Sequence, residues 1–170
     1  MVKEVTVSID PGKDTAGVAL FDDGRLAVCS VCRFRRGNKV SQLKGIGSKL
    51  AGMINDWLAE DHRKDANVVL AIEGMEMRKD KLEAVPRIIE LSVMSGVVWG
   101  LVDFDRGVEV SPGKWTHGRP KAVNHQILRE VLDDEESEAL QTGLDACPGY
   151  KQKEVLDAVG IGLYVLHRWQ

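Results

Sequence analysis

A chain of 170 residues with 44% hydrophobic residues and a net charge of −3 has the composition of an ordinary globular protein, long enough to bury a core within one domain, residues 1–170. No apolar run approaches the ~20 residues of a membrane span, and no charged-then-apolar leader opens the sequence, which predicts a cytoplasmic protein without membrane contact. Its three cysteines, an odd number, favour reduced thiols over a disulfide framework.

The first segment of the chain predicts three meandering strands, over Val5–Asp10, Ala16–Phe21 and Leu26–Phe34. The turn "DDGR" between the second and third carries the Asp-Gly signal of a tight hairpin. Cys29 and Cys32 form a CxxC in the third strand. An offset of three residues in a strand points two side chains to opposite faces, which argues against a zinc or redox pair.

Helices alternate with strands in the remainder of the chain. Apolar spacing predicts helices over Val40–Leu58, Leu82–Val102, Lys121–Leu132 and Gln152–Trp169, and strands over Ala66–Glu73 and in "GVEVSP". The run "DDEESE" is interpreted only as a concentration of negative charge. This order predicts an α/β fold with a five-stranded mixed sheet, in which three antiparallel meander strands and two parallel strands carry helices on both faces.

Two carboxylates end two of these strands. Asp10 follows the first strand, and Glu73 ends the strand "ANVVLAIEG". A crossover through the intervening helix lays this strand parallel to the first, so both acids reach the same edge of the sheet. A lone Asp before Pro-Gly is more often a turn residue, but two adjacent carboxylates repel each other and favour a divalent cation.

The last predicted helix, "KEVLDAVGIGLYVLHR", carries two more acids. Glu154 and Asp157 are three residues apart and share one helical face. Gly160 and Gly162 each cost ~1 kcal/mol in a helix relative to alanine. That cost makes sense if the helix lies close on the sheet and brings its acids towards the first two. An acidic first turn, which complements the helix dipole, explains Glu154 better than Asp157.

These segments together resemble the RuvC family of Holliday-junction resolvases, within the RNase H-like (retroviral integrase) superfamily. The matching stretches run from about residue 3 to 168 and are "SIDPG....GVAL", "AIEGM", "SPGKW", "GRPKAVNHQIL" and "EVLDAVGIGL". The resemblance implies a structure-selective DNA endonuclease that resolves four-way junctions by paired symmetric nicks. It implies hydrolysis with two Mg²⁺ ions per site, for which Mn²⁺ substitutes, leaving 5′-phosphate and 3′-OH ends. Departures from the family pattern are typical of a divergent branch, such as a phage-encoded enzyme.

The resemblance also assigns roles. Asp10 would bridge both metal ions, with Glu73 on one and Asp157 on the other, and Glu154 would take a position where the family often has aspartate or histidine. Basic residues would contact DNA: Lys114, Arg119 and Lys121 as phosphate ligands, and Arg78, Lys79 and Lys81 near the catalytic mouth. Where the family carries a phenylalanine that wedges into the junction, the sequence offers only Met75 and Met77.

The helix "AVPRIIELSVMSGVVWGLV" is apolar nearly all round. The corresponding family helix is a dimer interface, so the resemblance implies a homodimer with two sites related by a two-fold axis. A purely internal core helix is the alternative.

Other functions compete with junction resolution. Gly12 and Gly17 have the spacing of a Walker loop, but Val18-Ala19 replaces the required Lys-Ser/Thr, which argues against a nucleotide cofactor. A RuvC-like nuclease acting on forks, flaps or other branched DNA stays open, as does a catalytically inactive RNase H-like DNA-binding protein.

Overall fold

The computed structural model describes residues 3–12, 15–33, 40–74 and 85–169, with the backbone alone at residues 40–43 and 87. Five strands form one sheet: β1 (Glu4–Pro11), β2 (Thr15–Asp22), β3 (Arg25–Arg33), β4 (Asn67–Glu73) and β5 (Arg106–Val110). Their spatial order is β3-β2-β1-β4-β5. The pairs β1–β2 and β2–β3 are antiparallel, whereas β1–β4 and β4–β5 are parallel. The predicted mixed sheet is confirmed.

The predicted hairpin between β2 and β3 is also confirmed. Asp23 and Gly24 both have positive φ, 47° and 82°, which is the backbone of a type I′ turn. The Asp23 carboxylate accepts a hydrogen bond from the Glu4 backbone N–H, 3.0 Å away, and so fastens the turn to the start of β1.

The helices are α1 (Val40–Leu58), α2 (Val85–Leu101), α3 (Pro112–Trp115), α4 (Lys121–Val131), α5 (Asp134–Asp145) and α6 (Gln152–Val165), with short 3₁₀ turns at Asp61–Arg63 and Gly149–Lys151. The interpretation of "DDEESE" as charge alone was incomplete, because this run begins α5. Asp133 caps the helix by accepting from the Glu136 N–H, and the Glu136 side chain accepts from the Asp133 N–H in return.

Helices cover both faces of the sheet. On one face, Val7, Leu20 and Cys32 pack with α1 and α2 in one core cluster. On the other, Phe21 and Cys29 pack with α4, α5 and α6 in a second cluster. Cys29 and Cys32 therefore point to opposite faces, as predicted. Burial also raises the pKa of the Cys29 thiol to about 12, as expected of a core residue rather than a reactive one.

Helix α6 lies directly on the sheet because small residues let it approach. A Cβ on Gly162 would lie 2.1 Å from Cε2 of Phe21, and a Cβ on Gly17 would lie 1.8 Å from the carbonyl oxygen of Glu154. The Ser8 hydroxyl donates a 2.7 Å hydrogen bond to the Ala158 carbonyl and fixes α6 over β1. The close approach predicted from the helical glycines is confirmed, and it brings the start of α6 to the end of β1.

Across the described ranges, no helix combines the length and the apolar character needed to cross a bilayer.

Candidate active site

Two strand-end carboxylates lie side by side on the α6 face of the sheet. Val7 and Ile9 of β1 belong to the core cluster under α1 and α2, so the alternation of a strand turns Asp10 to the opposite face. Ile9 pairs with Ile72 of parallel β4, which places Asp10 and Glu73 level at the carboxyl edge of both strands. The predicted adjacency of the two acids is confirmed.

Asp157 on α6 supplies the third carboxylate, and α4 holds it. The Lys121 ammonium contacts Asp157 Oδ2, and His125 Nε2 lies 2.7 Å from Oδ1. Lys121 and His125 are four residues apart on α4 and therefore share one face of that helix. Asp157 is buried, so these two partners satisfy a carboxylate that water barely reaches.

The segment between β5 and α4 positions the remaining partners. α3 begins two residues after β5 and buries Trp115, whose indole N–H donates a 2.7 Å hydrogen bond to Glu73 Oε1. His117 and Gly118 then adopt positive φ, 50° and 69°, and turn the chain into α4. Lys121, the first residue of α4, lies with its Nζ 5.5 Å from the centre of the Trp115 ring.

Negative charge is concentrated where Asp10, Glu73 and Asp157 meet. Burial of the Asp10 carboxyl, reinforced by the negative charges of Glu73 and Asp157, raises its pKa well above the usual value, and Lys121 offsets only part of that rise. Burial opposes the charge on Lys121, yet the carboxylates of Asp10, Asp157 and Glu73 raise the pKa of its ammonium. Among the described residues, Asp10, Glu73 and Asp157 thus share the Lys121 ammonium, and the three carboxylates favour additional positive charge.

Glu154 lies in the first turn of α6, three residues before Asp157. Its backbone carbonyl lies against Gly17, the residue paired with Asp10 across β1 and β2. Its Oε1 is 3.4 Å from the Lys151 ammonium, which also donates a 3.0 Å hydrogen bond to the Thr15 hydroxyl. Its Oε2 is buried and has no hydrogen-bond partner among the described residues.

The donor set fits a hard divalent cation. Carboxylate oxygens are the ligands that Mg²⁺ and Mn²⁺ prefer, and the buried, unpartnered Oε2 of Glu154 is the kind of atom that a cation satisfies. In the part of the chain that the structure describes, no three acidic, histidine or cysteine side chains are arranged as a complete ligand set. At Asp157, Lys121 and His125 already hold both carboxylate oxygens.

The predicted DNA-contacting residues divide into two sets. Lys114 and Arg119 are exposed and lie on α3 and in the turn before α4, on the side of the acids that adjoins β5. Lys121, also predicted to bind phosphate, contacts Asp157 in this structure. Two further groups lie outside the described residues: the basic Arg78, Lys79 and Lys81, and the wedge candidates Met75 and Met77.

Sequence reasoning missed three residues of the site: His125, Trp115 and Lys151. His125 carried a usable signal, because it is one helical turn from Lys121. Lys151 carried one too, since it is three residues before Glu154. The contact of Trp115 with Glu73 joins residues 42 positions apart and depends on tertiary structure alone.

Solved structures share this architecture. Thermus thermophilus RuvC in complex with Holliday junction substrate is similar over 96% of this chain and 94% of its own, with a TM-score of 0.55 and 16% identity. The yeast mitochondrial Holliday junction resolvase matches over 96% of this chain and 78% of its own, with a TM-score of 0.64 and 12% identity. The chain has the RNase H-like fold of the RuvC resolvases.

A human cytomegalovirus terminase nuclease domain, solved Mn-soaked and inhibitor-bound, is also similar in fold. That similarity covers 94% of this chain and 82% of the terminase domain, with a TM-score of 0.54 and 13% identity. No protein-family model matches the sequence, and neither does any curated protein.

Proposed function

We propose that the chain is a divalent-metal-dependent endonuclease that cuts branched DNA, with four-way junctions as its main substrate. The observation that carries this proposal is the convergence of Asp10, Glu73 and Asp157, from β1, β4 and α6, at one edge of a RuvC-like sheet. Buried carboxylates that repel each other cost stability, and such arrangements are concentrated at functional sites. Two of the structurally similar proteins are Holliday junction resolvases and another is a nuclease domain.

Each residue has a role in this proposal. Asp10, Glu73 and Asp157 would hold two Mg²⁺ or Mn²⁺ ions, with Glu154 as a fourth ligand. When bound, such ions activate a water molecule and stabilise the leaving 3′ oxygen of a phosphodiester, which leaves 5′-phosphate and 3′-OH ends. Trp115 fixes the Glu73 carboxylate through its 2.7 Å hydrogen bond. Exposed Lys114 and Arg119 bind the phosphates that flank the cut.

The first experiment compares substrates. The protein is incubated with an end-labelled four-way junction, a fork, a flap and a linear duplex of matched sequence, in MgCl₂, MnCl₂ or EDTA. We expect paired, symmetric nicks in the junction with either metal, none in EDTA, and little cutting of linear duplex. Preferential cutting of forks or flaps would redirect the proposal to other branched DNA. Junction binding without any cutting would identify an inactive DNA-binding protein.

Paired nicks require two active sites, and we propose that a C2 homodimer provides them through α2. Ile89 and Leu101 of α2 are exposed large apolar side chains. Val97, by contrast, faces α1, since a Cβ on Gly47 would lie 2.7 Å from the Val97 Cβ. Ile89→Glu is therefore a cleaner test of the dimer than a change at Val97.

Light scattering of Ile89→Glu should show a monomer that nicks junctions singly. Ser137→Glu, which adds the same charge on an exposed position of α5, is the matched control and should remain dimeric. If Ile89→Glu remains a dimer, the interface is not on this face of α2.

A further inference from the structure

Two side chains of α4 divide the two oxygens of Asp157 between them. Lys121 contacts Oδ2, and His125 lies 2.7 Å from Oδ1. Any cation that coordinates Oδ2 of Asp157 must therefore take the place of the Lys121 ammonium. The bond to His125 can stay.

The two partners differ in freedom. The His125 side chain is only 14% exposed and is short, so packing fixes its ring. The Lys121 side chain is 49% exposed and long, so its ammonium can leave Asp157 for solvent without disturbing the core. Of the two contacts, only that between Lys121 and Asp157 can readily be replaced by a contact with a cation.

The position of Lys121 in α4 also favours its displacement from Asp157. It is the first residue of α4, where the helix dipole disfavours a positive charge. Burial also opposes the charge on Lys121, but the carboxylates of Asp10, Asp157 and Glu73 outweigh burial and raise the pKa of its ammonium. Lys121 is thus held in place by the same acids that would hold a metal ion.

We propose that Lys121 is an internal counter-ion of the acid cluster, displaced from Asp157 by the divalent cation, and that His125 is a positioning residue for Asp157 in both states. The inference rests on the proposed metal-dependent function. An ammonium and a dication repel each other at the same oxygen, so one excludes the other. Once displaced, Lys121 lies at the exposed side of the cluster, where it can contact the phosphate that is cut.

The test measures Mn²⁺ binding calorimetrically on DNA-free protein, together with thermal unfolding in EDTA. Lys121→Met should bind Mn²⁺ roughly tenfold or more tightly than wild type, because a competing charge has been removed. The same variant should unfold at a lower temperature in EDTA, because the acids have lost their counter-ion. Lys44→Met removes an exposed lysine of α1, which packs on the other face of the sheet, and should change neither value.

Variants of His125 should bind Mn²⁺ more weakly than wild type, the opposite of the change expected for Lys121→Met. His125→Phe should weaken Mn²⁺ binding by about 10–100-fold, the usual cost of losing a hydrogen bond that orients a metal ligand. His125→Gln, which keeps an N–H donor, should recover most of that loss. Unchanged Mn²⁺ binding by His125→Phe would show that His125 only fills space.

Wild type that binds Mn²⁺, with Lys121→Met no tighter, would overturn the counter-ion role while leaving the metal-dependent function standing. Wild type that binds no Mn²⁺ would overturn both. If Lys121→Met fails to fold, Lys121→Gln is expected to give the same tighter binding, and the same comparison decides the outcome.

Discussion

Two sets of buried acids lie at opposite ends of the sheet, and they differ in how well positive charges and hydrogen bonds compensate them. At the end of the sheet where β3 begins, Glu136 is 1% exposed, and its two oxygens accept from the two terminal guanidinium nitrogens of Arg168, at 2.5 and 2.7 Å. Its oxygens also accept from the Leu26 and Asp133 backbone N–H groups. At the carboxyl ends of β1 and β4, Asp10, Glu73 and Asp157 share Lys121.

The pKa values record the difference. Burial opposes ionisation of Glu136, but the hydrogen bonds from Arg168 and the backbone outweigh it and lower its pKa. Burial and like charges instead raise the pKa of Asp10. A fully paired buried acid is costly to separate from its partner, whereas buried acids that repel each other cost stability and are typical of functional sites. The lowered pKa of Glu136 is therefore typical of a structural acid, and the raised pKa of Asp10 is typical of a candidate catalytic one.

The largest expected effect is on cleavage. Asp10→Asn preserves shape but removes one charge from the cluster, and we expect junction cutting to fall by about 10³-fold or more, since metal activation supplies much of the rate. Junction binding should be as tight as in wild type or tighter, because a repulsive charge has been removed. Glu73→Gln and Asp157→Asn should behave alike, and Glu154→Gln should lose less, because Glu154 pairs with Lys151.

A single-turnover nicking assay with a parallel gel-shift measurement checks this prediction. Asp56→Asn on the exposed side of α1 is the matched control and should cut normally. Near-normal cutting by folded Asp10→Asn would make Asp10 a turn residue.

The next effect is on stability, at the other edge. Glu136→Ala leaves Arg168 without its partner and should lower the free energy of unfolding by about 3–5 kcal/mol, the usual cost of breaking a buried pair. Exposed Glu138→Ala should stay within about 0.5 kcal/mol of wild type in the same urea titration.

The difference in free energy of unfolding between wild type and Glu136→Ala should depend on pH in a definite direction. The folded-state pKa of Glu136 is lowered, so its contribution is complete above the unfolded-state pKa and is lost as the pH falls through the folded value. The gap between wild type and Glu136→Ala should therefore narrow below about pH 4. A gap independent of pH would mean that packing, not charge, is what Glu136 contributes.

A smaller effect is expected at the exposed lysines. Lys114→Ala should weaken junction binding and reduce the slope of log affinity against log salt by about one, as for one phosphate contact. Lys64, before β4 and so at the opposite edge from Glu73, is the control: Lys64→Ala should leave the slope unchanged. An unchanged slope for Lys114→Ala as well would remove Lys114 from the DNA path.

Much of this could be predicted from sequence because the decisive signals are local. Alternating apolar residues defined the strands, and the crossover rule made Asp10 and Glu73 neighbours. Helix α5 was missed because its capping box, Asp133 and Glu136, lies inside an acidic run that reads as surface charge. The partners of the acids were missed for another reason: Trp115 reaches Glu73 only through tertiary packing.

The most direct test of the comparison is thermal unfolding of wild type and Asp10→Asn, each in EDTA and in MgCl₂. Because the folded-state pKa of Asp10 is raised, its stabilising contribution is complete only below the unfolded-state pKa and is lost as the pH rises through the folded value. At neutral pH in EDTA, Asp10→Asn should therefore melt above wild type, by about 2–4 °C for each ~1 kcal/mol of relieved repulsion. Magnesium should raise the melting temperature of wild type, through preferential binding to the folded state, and should barely move the variant. A wild type indifferent to magnesium, with Asp10→Asn melting lower in EDTA, would contradict the account.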